Sequence, residues 1–185
     1  RLQFSNNIKV SLVAGEYEPV SFVIESDQDL SQLMLVAHPI KGHESIIDQR
    51  HIDIKLVKEW YQADQAWIGR WDKKKNRHLV PELLLNDDAL VAVDYKKKKN
   101  YLKINKNKKS IYKDISTSGD NVGALIIKVD DLNVIDSKVL LPFDLLEGRK
   151  KQVWITIHMP SDTTPGIYNS RVSLEHEGIV LQDIR

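Results

Sequence analysis

The chain has 185 residues, 42% of them apolar, with no cysteine and with 27 basic against 26 acidic side chains. That composition excludes wholesale disorder, disulfides, thiolate nucleophiles and cysteine-bound zinc. No run of about 18 apolar residues occurs, so no transmembrane helix is expected.

The length fits one domain spanning residues 1–185, large enough to bury roughly 70% of the surface its unfolded form would expose. The chain opens at Arg1 without a charged-then-apolar leader and stops at Arg185 straight after an apolar run. It is therefore expected to be excised from the N-terminal part of a larger protein, or to be a mature end left after signal removal. The near-zero net charge hides an asymmetry. Residues 70–113 hold 14 Lys and Arg against 5 Asp and Glu, so a basic lobe on an acidic body is expected.

In chain order, Ile8, Val10 and Leu12 alternate with polar residues and predict a first strand, ended at Ala14-Gly15-Glu16. Val20, Phe22 and Ile24 predict a second. Leu33-Met34-Leu35-Val36 is a short apolar run that reads as a buried strand, and Lys41-Gly42-His43 marks a turn. Ile52, Ile54, Leu56 and Lys58 then keep a period of two up to Trp60. Four strands in about sixty residues suit an all-β sandwich better than any βαβ scheme.

The pattern weakens between residues 61 and 115, which read as a lysine-rich insertion or lobe with too few apolar residues for a core of its own. Within it, Leu79–Leu85 fits either a short helix with Pro81 in its first turn or an extended edge segment. Ala89–Val93 is a strand candidate, and Tyr101–Ile104 can pair with Ser110–Tyr112 as a hairpin. Ala124–Val129 predicts a further strand, and residues 130–135 could carry one helical turn. The alternation returns in Val153, Ile155 and Ile157, breaks at Pro160–Gly166, and resumes in Val172 and Leu174. Ile179–Leu181 closes the chain as a last strand after the Glu177-Gly178 turn. Pro165-Gly166 reads as a type II turn with φ > 0 at Gly166, and Tyr168 is expected to return its ring to the sandwich rim. The fold class is an antiparallel β-sandwich, immunoglobulin-like or jelly-roll-like, with no fixed-period repeat.

Two clusters carry candidate chemistry. Trp60, Tyr61, Trp67 and Trp71 lie within twelve residues, and flat rings of this kind stack on sugar faces; the bland alternative is that they plug the core. Lys96, Lys97, Lys98 and Lys99, with Lys73–Lys75 and the lysines from Lys103 to Lys109, would attract an acidic glycan, or simply form a solvated edge. The absence of Arg from these runs argues against nucleic acid. Asp87-Asp88 and Asp130-Asp131 are adjacent in sequence, and Glu16 and Glu18 flank a turn, so no catalytic carboxylate pair is selected. The six histidines show no HxH or HExxH spacing, and GxSxG, P-loop and GxGxxG motifs are missing. No cofactor, no metal and no catalytic residue are assigned.

Two stretches carry a resemblance. GEYEPVSFVIES at 15–26 resembles the Gly-Glu-x-Glu-(Pro/Ser)-x-x-Phe-x-Ile strand that opens the N-terminal sandwich of certain bacterial glycosidase-like proteins. RKKQVWITIHMPSDTTPGIYNSRVSLE at 149–175 is similar to the strand–turn–strand that ends it. These proteins include relatives of the β-N-acetylgalactosaminidases and uncharacterised polysaccharide-linked families, in which the sandwich precedes a catalytic (β/α) barrel holding the carboxylates. The lysine-rich middle departs from their pattern. The resemblance implies a non-catalytic accessory domain, with the remainder of the polypeptide and a polysaccharide as partners, in an extracellular, periplasmic or cell-surface protein. A surface adhesion module pairing through a sheet edge and an anionic-polymer binder are the alternatives.

Overall fold

Alternating apolar residues require a surface to bury them against, and here two antiparallel sheets supply it. The computed structural model describes residues 7–63, 77–106, 109–116 and 134–185. The strands are β1 (Tyr17–Glu25), β2 (Leu30–Ala37), β3 (Ile40–Lys41), β4 (Ile46–Ile47), β5 (Ile52–Ala63), β6 (Arg77–Leu85), β7 (Val91–Asp94), β8 (Lys99–Lys106), β9 (Lys109–Asp114), β10 (Phe143–Leu145), β11 (Lys150–His158), β12 (Val172–His176) and β13 (Ile179–Ile184). Only two short 3-10 turns, Gln49–His51 and Asp88–Leu90, interrupt them among the described residues. One sheet runs β1-β11-β5-β6 and the other β10-β2-β12-β13.

Contacts divide the chain into two compact units, residues 1–56 with 139–185, and residues 57–138. In the first unit the two sheets share one interior. Ile24, Ile54, Leu56, Val153 and Ile155 come from one sheet, and Leu33, Phe143, Leu145, Val172 and Leu174 from the other. The β1–β11 pairing is continuous from Tyr17↔His158 to Glu25↔Lys150. Its unbroken register matches the uninterrupted period of two in both segments. Leu33 and Val153 are fully shielded from solvent, whereas Met34 on the opposite face of β2 is half exposed. The Leu33–Val36 run is thus buried on one side only.

β2 bulges where it meets β10: Phe143 faces Leu33 and Leu145 faces Leu30, so Ser31 and Gln32 together oppose Asp144. Gln32 takes φ 55° and its N–H donates to Asp144 Oδ1 at 3.0 Å, which anchors the strained residue. The β12–β13 hairpin closes on Glu177 and Gly178, both with φ > 0, the requirement of a two-residue primed turn. Beyond it, Ile179, Val180 and Leu181 remain exposed on a strand at the margin of its sheet.

Two sequence expectations are corrected in the first unit. The alternation Ile8-Val10-Leu12 forms no strand; a single backbone bond, Ile8 N–H to Arg185 O at 2.6 Å, ties its start. Alternation without a ladder partner is insufficient, and Leu12 alone packs, on the satellite cluster of Ile40, Ile47 and Met159. Gly166 does not adopt positive φ, so the Pro165-Gly166 turn is not type II. The glycine that matters is Gly42: Tyr168 folds its ring over it and donates its hydroxyl to Thr164 O at 2.8 Å, the geometry of a tyrosine corner. The ring does return to the body of the sandwich, packing on the cluster of Ile40, Ile47 and Met159.

The second unit contains a three-stranded antiparallel sheet, β7-β8-β9. The expected 101–112 hairpin is present, with Ile104 opposite Ile111 and Lys106 opposite Lys109. The Ala89–Val93 candidate splits into the 3-10 turn and β7. Pro81 lies in β6, which selects the extended alternative over the helix. Leu85, Leu90 and Val91 are buried together with Trp60, Leu83, Val93 and Leu102 packed on them. The middle stretch therefore does have a core, though a small one. The 124–129 strand and most of the 130–135 turn lie outside the described residues.

Candidate functional site

The period of two along β5 decides where its aromatic residues go. Ile54, Leu56, Lys58 and Trp60 share one face, so Trp60 turns toward the Leu85, Leu90, Val91 cluster of the second unit and is partly buried there. Its indole N–H donates to Glu82 Oε2 at 2.9 Å, and the Gln62 side-chain amide donates to the same oxygen. Tyr61 faces the other way. Its ring meets Tyr95 edge-on, with centroids 6.4 Å apart at 68°, and its hydroxyl points to Tyr95 O at 3.4 Å. The structure thus brings Tyr61 together with Tyr95 rather than with Trp60. Trp67 and Trp71 lie outside the described residues, as do Lys73–Lys75.

Asn100 positions Tyr61. This buried side chain accepts from Tyr61 N–H at 2.9 Å and donates to Tyr61 O at 2.7 Å, as a neighbouring strand would. Its own N–H donates to Ser116 Oγ at 2.7 Å, and its carbonyl accepts from Ile115 N–H at 3.0 Å. A buried amide needs such partners, since an unpaired one costs about 1–3 kcal/mol.

The lysine run forms the turn of the β7–β8 hairpin. Asp94 Oδ1 accepts from the N–H groups of Lys96 and Lys97, at 3.0 and 2.8 Å, and Lys98 adopts φ 51°. Lys96, Lys97 and Lys98 are exposed. Lys99 turns back and meets Asp114 Oδ2 at 2.6 Å. That hydrogen bond, with help from Ser116 N–H, holds the Asp114 carboxyl down at about 2, and it raises the Lys99 ammonium in turn. Lys58 and Lys103 likewise meet Asp88 and Asp87, at 3.1 and 2.9 Å. The hydrogen bond it donates to Asp87 raises the Lys103 ammonium. Asp87 and Asp88 are therefore committed to lysines, a use remote from acid–base chemistry. Among the described residues of the second unit, Lys58, Lys99 and Lys103 are paired with aspartates, whereas Lys96, Lys97, Lys98, Lys109 and Lys113 are exposed.

Two polar groupings in the first unit escape sequence inspection, because their members are far apart in the chain. Ser173 Oγ–H donates to Asp183 Oδ1 at 2.7 Å, and His38 Nε2 lies 2.8 Å from the same hydroxyl. The composition is that of a hydrolase triad, but the connectivity is not. The carboxylate holds the serine instead of orienting the histidine, and Ser173 is 1% exposed, so no substrate reaches it. The second grouping is His51 and His158, whose Nδ1 atoms lie 3.0 Å apart, with the Tyr17 ring stacked on His158 at 4.1 Å. Among the described residues no three His, Asp or Glu side chains converge as a metal site. No described helix is long and apolar enough to cross a membrane.

No protein-family model and no curated protein matches the chain. Among solved structures, it is similar to a family 123 glycoside hydrolase from Clostridium perfringens, studied for glycolipid glycan hydrolysis. The identity is 14% and the TM-score 0.52, over 97% of this chain and 21% of that one. The chain thus spans about a fifth of that protein's length. At this identity the likeness shows a shared glycosidase-like fold.

Proposed function

We propose that the chain is a single non-catalytic accessory β-sandwich domain of a larger carbohydrate-active, glycoside-hydrolase-like protein, exported or surface-facing, that supports a catalytic barrel and guides glycan. The observation that carries this reading is the fold likeness to a fifth of a glycoside hydrolase, extending over nearly all of this chain. The glycosidase-like strand motifs at 15–26 and 149–175 support it independently, since they form β1 and the β11–β12 region of the same sandwich. Glycan contact is assigned to the second unit, where Tyr61 and Tyr95 offer ring edges and faces beside exposed Lys96, Lys97 and Lys98. Trp60 faces the opposite side of β5 and packs on the small core, and Trp67 and Trp71 lie outside the described residues, so the aromatic contact is proposed on Tyr61 and Tyr95.

Titrating intrinsic fluorescence with neutral and acidic polysaccharides tests this. Saturable quenching at millimolar sugar, lost in Tyr61→Ala, is expected. A flat response to every sugar would leave only the scaffolding role.

A second reading is favoured by the three exposed lysines on one turn: binding of an acidic polymer as such. Its mark is affinity that falls steeply with salt and does not depend on Tyr61.

A further inference from the structure

Which side chains share a face of the three-stranded sheet follows from its register. Lys103 on β8 lies opposite Tyr112 on β9, and Asn105 lies opposite Ser110, so these four occupy one face. Leu102, Ile104 and Ile111 occupy the other, where Leu102 packs on the small core. Tyr112 belongs to β9, yet its hydroxyl donates to Ala89 O at 2.8 Å, in the 3-10 turn that leads into β7 on the far side of β8. The side chain therefore reaches over β8, beside Lys103.

The anchor at Ala89 is itself fixed. Asp87 Oδ1 accepts from Ala89 N–H at 2.9 Å, Asp87 O accepts from Leu90 N–H at 2.9 Å, and Asp87 N–H donates to Asp136 Oδ1 at 2.8 Å. A ring held at both ends gives up little freedom when a ligand settles on it. Tyr112 is nonetheless 49% exposed, an open aromatic surface on a tethered side chain. Next to it along the face, Ser110 Oγ–H donates to Asn105 Oδ1 at 2.9 Å, and both residues are exposed, so the Asn105 amide offers donors and the Ser110 oxygen acceptors. The charges of this face cancel in pairs: Lys103 meets Asp87 at 2.9 Å, and Lys99 meets Asp114 at 2.6 Å.

We propose that this face binds a neutral pyranose unit of a glycan, its apolar side stacked on Tyr112 and its hydroxyls bonded to Asn105 and Ser110. A sugar ring has a C–H face rimmed by hydroxyl groups, and a flat tethered ring bordered by an amide and a hydroxyl is its complement. Because Lys99 and Lys103 already carry aspartate partners, the face lacks the pull on an acidic chain that the turn of Lys96, Lys97 and Lys98 exerts. The inference rests on the glycan-guiding reading above and adds to it a second contact, separate from Tyr61 and Tyr95, that takes uncharged sugar.

The test is NMR titration of the full chain with neutral oligomers of glucose, galactose, mannose and N-acetylhexosamine, and with oligogalacturonate as the acidic probe. At least one neutral oligomer is expected to shift the Tyr112, Asn105 and Ser110 resonances saturably, with an affinity indifferent to salt. Tyr112→Ala should weaken that binding roughly tenfold and Asn105→Ala about threefold, whereas Lys113→Gln on the opposite face should leave it unchanged. Tyr61→Ala should also leave it unchanged, which separates this contact from the one proposed above. Neutral binding lost in Tyr61→Ala and kept in Tyr112→Ala would overturn the Tyr112 contact while the Tyr61–Tyr95 reading stands. Failure of every neutral oligomer to shift these three residues, or a larger shift with oligogalacturonate, would overturn it as well. If a variant fails to fold, the pattern of shifts in the unmodified chain still decides.

Discussion

Adding one methyl group at Gly42 should be among the more disruptive small changes the first unit can suffer. A Cβ there would lie 2.6 Å from Tyr168 Cε1, 3.0 Å from Cδ1 and 3.1 Å from Cζ. Carbon atoms pack best at about 3.5–4.0 Å, so the ring would have to retreat by roughly 1 Å. It cannot do so cheaply. Its hydroxyl donates to Thr164 O and sits 3.1 Å from Ser45 Oγ, while the Lys41↔Asn169 bridge, bonded at 2.8 and 2.9 Å, fixes the backbone beside it. Overpacking of this kind costs about 1–3 kcal/mol, and disturbing the hydroxyl bond adds about 0.5–1.5 kcal/mol. A total near 2–3 kcal/mol corresponds to a Tm lowered by roughly 4–12 °C in a chain of this size. Gly42 has no positive φ, so the effect is steric, and calorimetry in two backgrounds isolates it. In Tyr168→Ala the same Gly42→Ala change should cost less than about 0.5 kcal/mol. Gly166→Ala, whose Cβ would meet the ring at an ordinary 3.8 Å, should be neutral or slightly stabilising. An equal Tm loss for Gly42→Ala in both backgrounds would refute the ring-over-glycine account.

Asn100→Asp should lower stability by about 2–4 kcal/mol in urea unfolding, because a carboxylate oxygen would then face Tyr61 O where the amide now donates. The Asp114–Lys99 pair gives a pH signature. With its carboxyl held at about 2 against an ordinary 3.8, Asp114 contributes stability that is present above pH 4 and lost as pH falls toward 2. The gap in urea midpoint between the unmodified chain and Asp114→Asn, worth no more than about 1 kcal/mol after solvent screening, should therefore close between pH 4 and 2; a gap that persists at pH 2 counts against the pair. Leu33→Ala should cost about 2–5 kcal/mol, since Leu33 is fully enclosed where the two sheets meet, and a midpoint unchanged by it would mean the core lies elsewhere.

The sandwich was legible wherever alternation had a partner strand to satisfy it. Val153, Ile155 and Ile157 pointed to β11 and its buried face, and the 101–112 hairpin was readable from its turn. The same signal misled at Ile8–Leu12, because periodicity reports a surface that can be buried and not a ladder that exists. At Gly166 a Pro-Gly pair suggested a turn type that the backbone does not adopt. Around the candidate site, Trp60 and Tyr61 look like neighbours in the sequence, but strand geometry sends them to opposite faces. The lysine count likewise gave a sign without a distribution, since Asp87, Asp88, Asp94 and Asp114 reach the lysines only after β5, β7, β8 and β9 assemble. His51 and His158 carried no local signal, because only the fold makes them adjacent.

The marginal strand β13 has a practical corollary. Ile179, Val180 and Leu181 present greasy side chains on a strand that is last in its sheet among the described residues, a template on which another extended peptide can lie down. Preparations of the chain should cloud or thicken as they are concentrated, and a charged gatekeeper such as Ile179→Lys should keep them clear without touching the interior.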